Sequence, residues 1–94
     1  MNPDSVSQFY YVYVLRSKKD GMWYTGLTHD LQKRFKEHTR GESVYTKGRG
    51  PFELIYYEAY RNNEDARSRE KQIKSGQGRA YLRQRMERFL TLSG

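Results

Sequence analysis

The run Tyr10-Tyr11-Val12-Tyr13-Val14-Leu15-Arg16, the connector Ser17-Lys18-Lys19-Asp20-Gly21 and the run Met22-Trp23-Tyr24-Thr25-Gly26-Leu27 read as a β-hairpin. Both runs are rich in aromatic and β-branched residues, which suit a pleated, half-buried surface. The connector ends in Asp20-Gly21, a strong hairpin signal because glycine reaches positive φ without steric cost. Alternation along the first strand, Phe9 to Arg16, puts Tyr11, Tyr13 and Leu15 on one face and Tyr10, Val12 and Val14 on the other. Neither face is polar, so both are expected to be covered. On the second strand Tyr24 and Gly26 share one face, and Trp23, Thr25 and Leu27 the other. A glycine inside a strand marks a bulge or a close approach of backbone or ligand. The five-residue connector leaves the pairing register open.

Outward from the hairpin, the first helix is predicted from Thr28 or Asp30, both good N-caps, to about Arg40, with Gly41 as its stop. Leu31, Phe35 and His38 define its inward stripe. Arg34 borders that stripe, one turn from His38. Residues 41–51 read as a glycine-rich loop carrying Tyr45, Thr46, Lys47 and Arg49, a cluster of phosphate-binding types. An ordinary polar loop is the alternative. A third strand follows from Phe52 to about Tyr60, with Phe52, Leu54, Tyr56 and Tyr60 on one face. The second helix starts at Asn62 or Asn63 and runs to about Ser75, with Glu64 and Asp65 complementing its dipole. The helix is expected to stop at Gly76-Gln77-Gly78. A third helix then runs from Arg79 to Leu92, with Leu82, Met86, Phe89 and Leu90 as its apolar stripe. The order β-β-α-β-α-α predicts an α+β fold: a small, three-stranded, mainly antiparallel sheet flanked by helices.

The chain has 94 residues, enough for one domain, expected over residues 9–92 behind a flexible tail at 1–8. Zero cysteines exclude disulfides and cysteine-held zinc. No apolar run approaches the roughly 18 residues of a membrane span, and the first residues lack the pattern of a signal peptide. A reducing, cytoplasmic location is expected. The net charge is +7 with a pI near 9.8, and nine residues are tyrosine. Cations attract a polyanion by releasing its counterions, and tyrosine offers ring faces to bases and a hydroxyl to phosphate. Nucleic acid is therefore the leading partner class.

Glu70 stands out chemically. It lies between Ala66 and Ile73 on the inward stripe of the second helix, where a carboxylate is costly unless paired or bound to a cation. Lys74, at i+4, can neutralise it, and so can a metal ion. Arg34 can clamp a phosphate, and His38 can take a tyrosine's proton. Each also has a plain reading, His38 as a partly buried histidine and Tyr13 and Tyr24 as sheet aromatics.

Taken together, these segments resemble the GIY-YIG nuclease domain, in its small single-domain bacterial type. The first half-motif appears as Tyr11-Val12-Tyr13, with Tyr11 and Val12 in place of glycine and isoleucine. The second appears as Tyr24-Thr25-Gly26. The stretch Leu27-Thr28-His29-Asp30-Leu31-Gln32-Lys33-Arg34-Phe35-Lys36-Glu37-His38 resembles the family's arginine helix. Tyr45-Thr46, Pro51 and Glu53-Leu54-Ile55-Tyr56-Tyr57 resemble the small members, as does Ala66 to Lys74, where Glu70 matches the metal-binding glutamate. No asparagine follows Glu70, a departure from many larger nucleases.

The resemblance implies a metal-dependent nuclease acting on DNA, in repair or recombination, with RNA as the other polymer to consider. It implies one ion, Mg2+ or Mn2+, on Glu70. Tyr13 is the implied general base, Tyr24 a positioning group, Arg34 the stabiliser of the transition state and His38 a relay. Tyr45, Thr46, Lys47, Arg49 and Lys74 are the expected nucleic-acid contacts. The absence of a second DNA-reading domain implies low sequence specificity or a protein partner. A nucleic-acid-binding module without catalysis is the second reading, and a domain that meets an acidic protein the third.

Overall fold

A β-hairpin opens the fold, β1 at Tyr10–Ser17 and β2 at Trp23–Thr28. The structure, a computed structural model, describes residues 8–43 and 46–93. Gly21 takes φ 74° in the turn, its N–H donating to the Ser17 carbonyl at 2.8 Å, and Asp20 Oδ1 accepts from Met22 N at 2.9 Å. Helix α1 spans Leu31–Thr39, strand β3 Phe52–Tyr60 and helix α2 Asn63–Lys74. Helices α3 at Gly76–Arg85 and α4 at Glu87–Ser93 close the chain. The strands form one antiparallel sheet in the order β2-β1-β3. The α+β class and the order β-β-α-β-α-α hold, with the last predicted helix divided in two at Met86 (φ −105°, ψ 22°).

Central β1 explains its own composition, because both of its faces are covered. Val12 and Val14 pack with Trp23, Ala66, Ile73 and Leu82 under α2 and α3. Tyr13 and Leu15 pack with Tyr24 and Phe52, against Leu31 and Phe35 of α1. Among the described residues no helix is long and apolar enough to cross a membrane.

Three expectations need correction. In β3, Val14 pairs with Tyr56 but Leu15 pairs with Leu54, so Ile55 is the extra residue of a bulge. The bulge shifts the alternation by one. Phe52 and Leu54 therefore join the α1 side, whereas Tyr56 and Tyr60 join the α2 side. Secondly, α2 stops before Gly76-Gln77-Gly78 as expected, but these residues form the first turn of α3, which starts ahead of the predicted Arg79. The Ser75 hydroxyl donates to the Gln72 carbonyl that ends α2 and accepts from Gly78 N–H, so one residue closes α2 and caps α3. Gly78 is required by contact: a Cβ there would lie 2.8 Å from Ile73 Cα and closer still to the Gln72 carbonyl. Thirdly, Phe89 is 39% exposed rather than part of the apolar stripe, and the Arg16 guanidinium lies over its ring.

Helix α2 is oriented by polar contacts as well as by Ala66 and Ile73. Asn62 Oδ1 caps it by accepting from Glu64 and Asp65 N–H. Arg69 donates to both carboxylate oxygens of Glu58 on β3, and the Tyr56 and Tyr60 hydroxyls donate to the same carboxylate. Burial and that carboxylate push the Tyr60 phenol up to about 12. Arg69 faces β3, and the adjacent Glu70 emerges on the other side of the buried stripe, towards β2.

Candidate active site

Tyr13 on β1 lies directly opposite Gly26 on β2. A Cβ at Gly26 would lie 2.9 Å from Tyr13 Cε1 and closer still to its Cζ and hydroxyl. The glycine is thus the gap over which the phenol crosses β2. Tyr24 pairs with Leu15, so the two tyrosines are diagonal neighbours on one face. The Tyr24 ring meets Phe52 edge-on at 5.6 Å.

Helix α1 starts at its cap Asp30, whose side chain accepts from Lys33 N–H, and carries Arg34 and His38 to the Tyr13 hydroxyl. The Tyr13 hydroxyl and His38 Nε2 are 2.9 Å apart, and His38 Nδ1 is 2.6 Å from the Thr46 hydroxyl. Arg34 sits near enough to the phenol to draw its pKa down, and it pairs with Glu37 at 3.2 Å. In the tautomer whose Nε2 accepts the phenol proton, His38 Nδ1–H donates to the Thr46 hydroxyl. Burial, more than the charge of Arg34, holds His38 below the usual histidine range, so the ring is neutral near pH 7. Burial pushes the Tyr13 phenol above its ordinary value against the opposing pull of Arg34, with Glu70 and Glu37 adding to the rise.

From α2, Glu70 and Lys74 complete the wall as an ion pair of 3.2 Å. Tyr13, Tyr24, Arg34, His38, Glu70 and Lys74 line one cleft of about 230 Å3 with Thr25, Gly26 and Leu27. The cleft wraps the edge strand β2, which lets it gather side chains from both faces of the sheet. Among the described residues no group of three His, Cys, Asp or Glu could form a metal cage. One carboxylate on an open cleft suits Mg2+, which is commonly held by one or two carboxylates with water and substrate phosphate filling its shell.

The loop candidates fare differently. Thr46 is not a phosphate contact: it is 1% exposed and its hydroxyl is taken up by His38. Lys47 and Arg49 are exposed but do not line the cleft. Tyr45 lies outside the described residues. Ser43, which accepts from Arg34 at 3.4 Å, carries no sequence signal that would have marked it.

Residues 9–87 match the sequence model of the GIY-YIG catalytic domain. The chain belongs to the GIY-YIG family. It is 48% identical over 65 residues to a UPF0213 protein of Clostridium perfringens, covering 68% of this chain and 69% of that one. It is 40% identical over 86 residues to a UPF0213 protein of Halalkalibacterium halodurans, covering 90% and 85%. The solution NMR structure of the UPF0213 protein from Bacillus halodurans shares 39% identity over 92% of this chain and 86% of that one, with a TM-score of 0.47. GIY-YIG is a nuclease-type family, and both half-motifs of this member, through Tyr13, Tyr24 and Gly26, border the cleft.

Proposed function

We propose that this GIY-YIG protein hydrolyses phosphodiester bonds in DNA with one divalent ion, Mg2+ or Mn2+, and serves repair or recombination in the cytoplasm. The observation that carries the reading is the convergence of a Tyr13–His38–Thr46 hydrogen-bond chain, Arg34 and the Glu70 carboxylate on one open cleft.

The raised Tyr13 pKa excludes a standing phenolate near pH 7, so Tyr13 needs an acceptor for its proton. Neutral His38 supplies it. As water attacks phosphorus, the water proton passes to the Tyr13 oxygen and the Tyr13 proton passes to His38 Nε2. The imidazolium that forms is held by its Nδ1–H bond to Thr46. The Arg34 guanidinium, already beside the phenol, stabilises charge developing on the phosphoryl oxygens. Tyr24 packs beside the phenol and positions it or the phosphate. Glu70 would hold the ion, which supplies Lewis-acid stabilisation of a phosphate oxygen and the leaving oxygen.

The test is cleavage of labelled single-stranded, duplex and branched DNA, with RNA alongside, in Mg2+ or Mn2+ against EDTA. Wild type should cut only with metal. Glu70→Ala should lose about 10²-fold or more, with unchanged circular dichroism, since the i,i+4 pair it breaks contributes only about 0.3–0.5 kcal/mol. Cutting retained by Glu70→Ala would remove the carboxylate from the mechanism. A binding module is the second reading, favoured by the 55% exposed Tyr57 beside Tyr11. Salt-sensitive DNA binding without any cutting would select it.

A further inference from the structure

Lys74 forms an i,i+4 pair with Glu70, and the pair lies in the cleft. Its ammonium lies 3.2 Å from Glu70 Oε2, and both side chains line the cleft that holds Tyr13 and Arg34. The Glu70 side chain is 22% exposed, next to the fully buried Ala66 and Ile73, whereas Lys74 is 48% exposed on a flexible stem. The carboxylate is thus the more buried partner, and the ammonium is the more exposed one, on a four-carbon stem.

We propose that Lys74 is an exchangeable counter-ion: it holds Glu70 when no metal is bound and is handed to a substrate phosphate when a divalent ion takes the carboxylate. The inference rests on Glu70 being the metal ligand. A divalent cation held by the Glu70 carboxylate would repel the ammonium that lies 3.2 Å from Oε2 of the same group. The ammonium must leave as the ion enters, and the nearest anion it can find is the phosphate drawn into the same cleft. No proton moves in this exchange. Its consequence is that Lys74 opposes metal binding to the free protein while favouring DNA binding, so one substitution shifts the two affinities in opposite directions.

The experiment uses the full chain and two binding readouts. Free Mn2+ is followed by electron paramagnetic resonance without DNA, and binding of a labelled oligonucleotide by fluorescence anisotropy in EDTA. Lys74→Gln is expected to bind Mn2+ about threefold to tenfold more tightly and, because the Glu70 charge is then left unneutralised in the cleft, to bind the oligonucleotide severalfold more weakly in EDTA. Glu70→Gln is expected to lose Mn2+ binding and, by releasing Lys74, to bind the oligonucleotide more tightly, a gain that shrinks in the Lys74→Gln background. Equal Mn2+ affinities for wild type and Lys74→Gln, with binding still lost in Glu70→Gln, would overturn the exchange and leave the metal site standing. Mn2+ binding that ignores Glu70→Gln would instead overturn Glu70 as the ligand, and the exchange with it.

Discussion

Burial is the leading cause of two opposite shifts, making the Tyr13 phenol harder to ionise and the His38 imidazole harder to protonate than in free solution. For His38, Arg34 adds to the effect and Glu37 opposes it. The folded chain therefore takes up this proton at lower pH than the unfolded chain, whose histidine titrates near 6.5. Where the unfolded state binds more protons, stability rises with pH, so the contribution of His38 is present above about pH 6.5 and is lost on acidification. The slope cannot exceed about 1.4 kcal/mol per pH unit for one proton. Urea midpoints at pH 7.5 and 5.5 should fall more for wild type than for His38→Gln, and cleavage should fall over the same interval. Equal pH dependence in the two proteins would show that His38 is not the titrating group. The types and pattern of Tyr13, Arg34, His38 and Glu70 were legible in the sequence. The bond from His38 to Thr46 was not, because the loop closes over eight residues with no periodicity to reveal what it meets. Thr46 thus read as a phosphate contact although it is buried.

At the level of elements, periodicity revealed the hairpin, α1 and α2, whose stripes are regular. It failed at Ile55, because a single extra residue leaves no mark in the unbroken apolar and aromatic run Leu54-Ile55-Tyr56-Tyr57, and every later side chain of β3 then changes face. It failed again at Gly76-Gln77-Gly78, where glycine signals a break in isolation but here permits α3 to approach α2. The two tight glycines should separate experimentally. At Gly78 the obstacle is backbone, so Gly78→Ala should cost about 1–3 kcal/mol in urea unfolding. At Gly26 the obstacle is the tip of the Tyr13 side chain, which can move. Gly26→Ala should therefore lose about a hundredfold in cleavage, the scale of an ångström of misplacement, while destabilising the fold less than Gly78→Ala. Full cleavage by Gly26→Ala would mean that the position of the Tyr13 hydroxyl over β2 is not needed.

Over the whole molecule the +7 charge is unevenly committed. Arg16, Arg34, Arg69 and Lys74 are paired with Glu53, Glu37, Glu58 and Glu70. Arg67 and Lys71 are exposed on α2, and with Lys74 they follow the i, i+4, i+7 spacing that places them in one row beside Glu70. A phosphate backbone entering the cleft over β2 would run along this row. Binding driven by such a row is electrostatic and insensitive to sequence, and each phosphate contact adds about 0.7 (single strand) to 0.9 (duplex) to the slope of log affinity against log salt. Oligonucleotides of unrelated sequence should then bind alike, with a slope of roughly −3 to −5, corresponding to about four to six contacts. Arg67→Ala/Lys71→Ala should reduce the magnitude of that slope by about 1.4–1.8 and weaken binding equally for every sequence. The check is a titration series from about 50 to 200 mM salt, the range over which phosphate contacts lose most affinity. A slope unchanged by the double substitution would move the backbone off α2, and a slope near zero would leave the charge with a role in solubility alone.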